Sequence, residues 1–468
     1  MENKEDIVNK KGLDAGEITV TDRLAAVKRT AERYTWHTRP ELLEQLDWFQ
    51  DQKFGLMVHW GLYNEIGCKE SWVLVDRYWT KWQFPDKTNL EVKQMYGKLH
   101  KGFFPIRFDP KQWADIAWDA GFRYLCFTTK HHDGFCMWDT KTTDYKVTGK
   151  DVPWRDEPMA DITKHLFDAF REKGMGISAY YSRADFACPY YWEEGYGLQE
   201  GAERRPSYDI EANPEKWRKF QEFVYAQLKE LVTEYGKIDC LWFDGGCDGV
   251  KLGLPEMTEA LRKYQPHMLG VIRGGAGICE DIVTPECIAV DSYLPVPWEV
   301  CTVMGKPDAH TSFGYTFDQE YMTAKEIAHL LLDTVCKGGN LALNIAPQPD
   351  GRLPERAVAH LKELSAWMRI FSPAIHATRA AAPYRMDKYC FTQTKDGKQV
   401  HAFYLYQDRE NRERYYKIPG NYNPKKVTDM RTGRELAFEI TKAGLVVTIP
   451  DDLLGVPVNI ADCFVLSL

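Results

Sequence analysis

From about residue 53 of this 468-residue chain, short apolar runs recur, and longer helical patterns separate many of them. The runs are Phe54–Trp60, Phe122–Thr128, Gly176–Ser182, Ile238–Phe243, Leu269–Ile272, Ile288–Val290 and Leu341–Ile345. Apolar residues at helical spacing mark Asp161–Lys173, Pro214–Tyr235, Pro255–Tyr264, Ala324–Cys336 and Pro354–Ile370. A short strand that is apolar throughout buries both faces, and such strands belong in parallel sheets covered by their own crossover helices. The repetition predicts an α/β fold of the (β/α)8 barrel type over residues 51–372. Only seven strand candidates are present, so the expected barrel is distorted.

The flanks read differently. Residues 1–50 are mostly polar, with amphipathic helical pieces broken at Trp36-His37-Thr38-Arg39-Pro40. They are expected to be a lead-in segment packed on the barrel. After residue 373 short alternating strands replace the helical pattern, and Tyr389–Thr394, Asp396-Gly397 and Val400–Tyr406 read as a hairpin. Leu445–Ile449 and Cys463–Leu468 are further strands, and no helix is expected there. Residues 373–468 are expected to form a small C-terminal β-sandwich.

Composition narrows the partners. Lys+Arg 60 against Asp+Glu 68 gives a net charge of −8 without a dense basic block, which argues against nucleic-acid or anionic-membrane binding. The N-terminus, Met1-Glu2-Asn3-Lys4-Glu5-Asp6, lacks the apolar core of a signal peptide, and no run approaches the ~18 apolar residues of a membrane span. The 12 cysteines are scattered and several lie in apolar runs, which suits buried thiols in a reducing compartment and a cytoplasmic location. The 15 Trp and 25 Tyr either fill cores or offer faces for sugars to stack on.

In a β/α barrel the functional groups collect at the C-terminal ends of the strands. The first run ends in His59-Trp60-Gly61, and the second is followed by Lys130-His131-His132-Asp133-Gly134. The third ends in Tyr180-Tyr181-Ser182, the fourth in Trp242-Phe243-Asp244-Gly245-Gly246, and the fifth in Arg273-Gly274-Gly275. A carboxylate at the position of Asp244 is costly unless it is hydrogen-bonded or used, which makes it a candidate nucleophile or base, or a loop cap. Glycoside hydrolysis needs a second carboxyl, and Glu286 and Glu299 both fit by their apolar surroundings; spacing alone does not separate them. His59, His131, His132 and Asp244 are also metal-ligating types. However, no HxH or HExxH spacing is present, and neighbouring histidines on a strand point to opposite faces. No metal and no cofactor are expected; three strand-end histidines suit the hydroxyls of a sugar. Gly338-Gly339 follows a helix and precedes a strand, the reverse of a phosphate loop, and reads as a helix end with close packing; Asn344 reads as a buried hydrogen-bonder.

These segments, in this order, resemble the α-L-fucosidases of glycoside hydrolase family 29. The resemblance rests on Lys53–Gly61, Thr129–Phe135, Leu241–Gly245, Ser312–Tyr315 and Lys337–Asn344, and it spans residue 53 to about residue 370. It implies a retaining exo-α-L-fucosidase that acts on fucosylated oligosaccharides or glycosides through a covalent glycosyl–enzyme intermediate. It implies Asp244 as nucleophile and Glu286, in Thr284-Pro285-Glu286, as acid/base, with Glu299 as the alternative. It further implies that His59, His131 and His132 bind fucose hydroxyls, that Tyr180, Trp242 and Arg273 line the pocket, and that Phe313 packs against the sugar's methyl group. The family's adjacent Glu-Trp pair is matched here by Glu70-Ser71-Trp72, with one residue inserted, and Gly246-Cys247-Asp248 stands where a tryptophan is common. A related, galactose-like glycoside is the alternative substrate, and a non-catalytic sugar-binding protein the alternative class.

Overall fold

A computed structural model describes residues 19–75, 77–199, 201–273, 280–306, 312–407, 410–442 and 444–468. The charged N-terminal residues 1–6 and the Gly274-Gly275 pair lie outside the described residues. Seven strands form one parallel sheet: β1 (Phe54–Val58), β2 (Tyr124–Lys130), β3 (Gly176–Ser182), β4 (Cys240–Asp244), β5 (Leu269–Ile272), β6 (Glu299–Val303) and β7 (Asn340–Asn344). Their order is β5-β4-β3-β2-β1-β7-β6, so β1, the first in sequence, lies inside the sheet and β5 and β6 are its edges. Every residue of β1 to β5 and of β7 is buried, as strands enclosed on both faces require.

The space between β5 and β6 is taken by an irregular extended segment. Glu280 bridges to Val271 of β5, Val283 bridges to Trp298, and Glu286 bridges to Cys301 of β6. Cys301 donates its backbone N–H to Pro285 O at 3.1 Å, and Cys287 donates to Cys301 O at 2.9 Å. This stave runs parallel to β6 and stands in for the eighth strand. Proline at 285, 295 and 297 removes the N–H groups a regular ladder needs, which explains why it stays irregular. The expectation of a strand at Ile288–Val290 is corrected. Those residues lie in the loop that follows the stave, with Ile288 and Val290 buried and Ala289 exposed; Val290 O accepts from Lys337 Nζ at 2.7 Å, and the regular strand comes later, at β6. The run is too short and too near Pro295 and Pro297 to extend into a ladder.

The lead-in segment holds two helices, Val20–Glu32 and Pro40–Gln52, separated at Trp36–Pro40. Leu42, Leu46 and Phe49 of the second helix share one face and pack among Tyr124, Cys240, Trp242 and Leu269 inside the barrel. Gln45 donates to Asp239 at 3.1 Å, and Phe49 O accepts from Asn340 at 2.7 Å; both partners stand where strands begin. The helix therefore plugs the N-terminal end of the barrel, and the opposite end stays open. Among the described residues, no helix is long and apolar enough to cross a membrane.

The C-terminal region is an eight-stranded antiparallel sheet, in the order β12-β15-β14-β13-β17-β10-β9-β8, with a small β11-β16 pair. The strands are β8 (Thr378–Met386), β9 (Tyr389–Thr394), β10 (Gln399–Leu405), β11 (Glu410–Asn411), β12 (Tyr415–Ile418), β13 (Lys426–Asp429), β14 (Glu435–Thr441), β15 (Gly444–Thr448), β16 (Pro457–Val458) and β17 (Ala461–Ser467). Tyr404 of β10 and Tyr416 of β12 lie 5.0 Å apart between ring centres, although four strands separate theirs in the sheet. The sheet therefore folds over itself and encloses its own core, as a sandwich does. Alternation divides β10: Ala402 and Tyr404 face that core, while Phe403 and Leu405 pack with Trp367 and Phe371 against the barrel. The expectation of no helix in this region is corrected by a short one at Asp451–Leu454. Pro450 precedes it, and two aspartates in its first turn favour a helix start.

Candidate active site

At the open end of the barrel a cavity of about 380 Å³ receives side chains from β1, β2, β3, β4, β5 and the stave. His59, Glu70, Trp72, His131, His132, Tyr180, Trp242, Asp244, Arg273, Glu286 and Phe313 all line it, as the sequence reading expects for the pocket. Glu299 does not line it.

Asp244 is the last residue of β4 and pairs in register with Ser182, the last of β3. Its Oδ2 accepts from Tyr180 OH at 2.7 Å and its Oδ1 from Arg273 Nη1 at 2.8 Å; His132 Nε2 stands 3.7 Å from Oδ2. Burial by itself pushes this carboxyl up, but Arg273, His132 and Tyr180 outweigh it and hold the group well below the usual carboxylate range. Arg273 also reaches Glu286 with Nη2. One guanidinium thus grips both carboxylates, and it arrives from the end of β5 while Glu286 arrives from the stave.

The histidines are held as neutral imidazoles. Burial lowers the pKa of His59, His131 and His132. A neutral ring offers one donor and one acceptor, the pair a sugar hydroxyl needs. Asn344 Oδ1 accepts from His59 N at 3.1 Å and lies 2.8 Å from His59 Nδ1, while Asn344 Nδ2 donates to Phe313 O at 2.7 Å. The amide oxygen can only accept, so His59 carries its proton on Nδ1 and leaves Nε2 for a ligand. His131 and His132 both face the cavity, with ring centres 4.8 Å apart at 74°. This departs from the strand rule because β2 ends at Lys130 and the two histidines sit in a turn. Gly134 makes that turn possible: its φ is +81°, and a Cβ there would meet Asp185 Oδ1 at 2.2 Å. Its neighbours are structural. Lys130 is buried and pairs with Asp185 at 2.7 Å, and Asp133 accepts from Tyr96 OH at 2.7 Å. Among the described residues, no group of three or more His, Cys, Asp or Glu side chains is arranged to hold a metal ion.

Glu70 holds the loop that carries Phe313. Its carboxylate accepts from Ser312 Oγ at 2.7 Å, from Gly314 N at 2.9 Å and from the Phe313 N–H. The backbone at Glu70 has φ +41°, a strained conformation for a side-chain-bearing residue, and these hydrogen bonds hold it there. Ser71, the inserted residue, is a contact the sequence reading missed: its Oγ lies 2.6 Å from His131 Nδ1. Trp72 lies with its ring centre 4.9 Å from that of His132, and Arg204 covers it at 3.9 Å. Arg23 from the first helix also lines the cavity. No motif signals Ser71, Arg204 or Arg23, because each reaches the site from a segment without pattern.

Glu299 opens β6 at the closed end of the barrel, accepts from Trp242 Nε1 at 3.2 Å and from Tyr124 OH, and burial pushes its carboxyl up to about 7. It lies behind Trp242 rather than beside Asp244. Asp248 caps the helix Gly249–Leu252, accepting from Val250 N at 2.8 Å. Gly338 has φ +92° at the end of the helix Ala324–Val335, and a Cβ on Gly339 would meet Trp298 at 2.4 Å.

The chain is similar to known proteins in sequence and fold. The alpha-L-fucosidase family model matches residues 23–372. The plasma alpha-L-fucosidase of Rattus norvegicus is 28% identical over 436 residues, covering 86% of this chain and 87% of that one. Alpha-L-fucosidase isoenzyme 1 from Paenibacillus thiaminolyticus is 28% identical with a TM-score of 0.76, over 92% of this chain and 99% of that one. The Thermotoga maritima alpha-fucosidase, solved with a mechanism-based inhibitor, is 26% identical with a TM-score of 0.70, over 90% of this chain and 96% of that one. A family match across the whole barrel, together with folds that align over nearly the full chain, places this protein in the alpha-L-fucosidase family of glycoside hydrolases.

Proposed function

We propose that this protein is a retaining exo-α-L-fucosidase that releases terminal α-L-fucose from glycans or glycosides. The observation that carries the reading is the single guanidinium of Arg273 holding Asp244 and Glu286 together beside three neutral histidines. Two carboxylates on one guanidinium suit the close pair, about 5–5.5 Å apart, of a retaining mechanism rather than the wider pair of an inverting one. Asp244, kept ionised, attacks the anomeric carbon. Glu286 protonates the departing oxygen and then activates water. An ion-paired glutamate donates a proton poorly, so substrate binding must turn Glu286 from Arg273 towards the glycosidic oxygen. His59, His131 and His132 bind ring hydroxyls, and Phe313 meets the C6 methyl group. A cytoplasmic location is part of this proposal, supported by the eleven free cysteines among the described residues, nine of them buried.

The test is chemical rescue with an activated aryl α-L-fucoside. Glu286→Ala is expected to be slow, to recover with azide and to give the α-fucosyl azide; Asp244→Gly is expected to recover only as the β-azide. Azide rescue of Glu299→Ala with none of Glu286→Ala moves the acid/base role to Glu299. Near wild-type hydrolysis by Asp244→Gly overturns the nucleophile assignment.

A further inference from the structure

A second cavity, of about 670 Å³, adjoins the sugar pocket and shares Asp244, Gly245, Arg273, Glu286 and Arg23 with it. Glu286 stands on the boundary. If it is the acid, as proposed above, the leaving group must sit on its far side, in this second cavity. One wall is the stave, with Val283, Pro285 and Ile288. The other wall is the helix Val20–Glu32, with Ala26, Val27 and Thr30 on the face that also carries Arg23.

That helix packs on the rim of the barrel core only through the partly buried Val27 and Ala31. None of its residues is buried, it starts on its own capping box at Thr19 and Asp22, and it is held by Lys28 on Asp291 at 2.8 Å. Just beyond it, Tyr34 donates to Asp281 O at 2.8 Å and fixes the chain to the stave. Ala26, Val27, Val283, Pro285 and Ile288 give both walls an aliphatic surface between their charged and hydroxyl groups, and among the described residues no aromatic residue lines the cavity, whereas Trp72, Trp79, Tyr180, Trp242 and Phe313 line the sugar pocket. Sugar rings stack on aromatic faces; aliphatic walls bury alkyl or aryl groups instead. The charged lining residues outside the shared carboxylates and Arg273 balance, with Asp22 and Glu280 against Arg23 and Arg29, so no net charge is selected.

We infer that the N-terminal helix forms one wall of the leaving-group subsite and that this subsite takes an uncharged apolar aglycone. The inference rests on the fucosidase reading, and the experiment separates the two. Methyl, butyl and octyl α-L-fucosides keep the leaving-group chemistry constant while the buried chain grows. Wild-type kcat/KM is expected to rise at least about ten-fold from methyl to octyl. Ala26→Glu keeps a good helix former at an exposed position while placing a charge in the cavity wall. It is expected to abolish that rise and to change kcat/KM for α-L-fucosyl fluoride, which has no aglycone, less than two-fold. A flat wild-type series, a rise that survives Ala26→Glu, or an equal loss on the fluoride overturns the subsite. Failure of the wild-type enzyme to turn over the fluoride overturns the fucosidase reading itself.

Discussion

Arg273 donates from Nη1 to Oδ1 of Asp244 at 2.8 Å, and its other terminal nitrogen reaches Glu286. The residue therefore sets both the charge state of Asp244 and the position of Glu286. Burial opposes ionisation of Asp244, and Arg273 is the largest force against it. Arg273→Ala removes that force, so the carboxyl pKa rises and the acid limb of the kcat/KM profile moves to higher pH. The wild-type limb is expected below the ordinary carboxylate range, because Arg273 holds Asp244 ionised. A fall in kcat/KM of about 10²–10³-fold near neutral pH is expected, with Arg273→Lys recovering part of it, because a lysine keeps the charge without the double grip. An unchanged acid limb in Arg273→Ala counts against this account.

Glu70 acts through the backbone of Ser312–Gly314. Glu70→Ala leaves the Phe313 N–H and the buried Ser312 hydroxyl without this acceptor, while Gly314 N keeps Ser312 Oγ at 3.0 Å; at about 1–3 kcal/mol for each lost partner, a loss of roughly 2–4 kcal/mol is expected by denaturant unfolding. The loop also carries Phe313, so KM for an aryl fucoside is expected to rise about ten-fold. Glu70→Gln keeps one acceptor oxygen and should fall between the two.

Ser71 fixes His131 from behind. Ser71→Ala removes one hydrogen bond and leaves the ring free to turn, so KM is expected to rise about three- to ten-fold with kcat changed less. The stability cost should stay near the ~1 kcal/mol of a single hydrogen bond. Steady-state kinetics with a thermal melt separates the two effects.

Glu299 gives a pH signature in stability rather than in rate. Its folded pKa, about 7, lies above its ordinary value of 4.5, so folding favours the protonated form. Stability from this group is full below the unfolded pKa, falls as pH rises between the two values, and is flat above about 7. Glu299→Gln carries no such dependence. Its Tm relative to wild type is expected to climb between pH 4.5 and pH 7.5, by an amount equivalent to a few kcal/mol at most. A difference that stays constant over that range shows that Glu299 does not titrate in the fold.

The strand ends were legible in the chain because a buried parallel strand is apolar throughout and then stops. That pattern exposes His59, Tyr180, Asp244 and Arg273 as polar groups at the ends of apolar runs. The stave was not legible, since Pro285, Pro295 and Pro297 break the very periodicity by which strands are read, and the short apolar run at Ile288–Val290 imitated the missing strand. Glu286 and Glu299 looked alike for the same reason: both follow apolar residues near prolines. Their difference is vertical. One ends the stave at the open end of the barrel and the other begins β6 at the closed end, and direction along the barrel axis has no counterpart in local composition.

The sequence by itself determined the class of fold, the open end of the barrel and most of the pocket, because burial and strand polarity are written in short-range pattern. Tertiary structure alone decided that His131 and His132 both face the cavity, that Ser71 and Asn344 orient two of the three histidines, and that a helix from the first 32 residues reaches Arg23 into the site. Those relationships join segments far apart in the chain, and only the packing of the barrel brings such segments within hydrogen-bond distance.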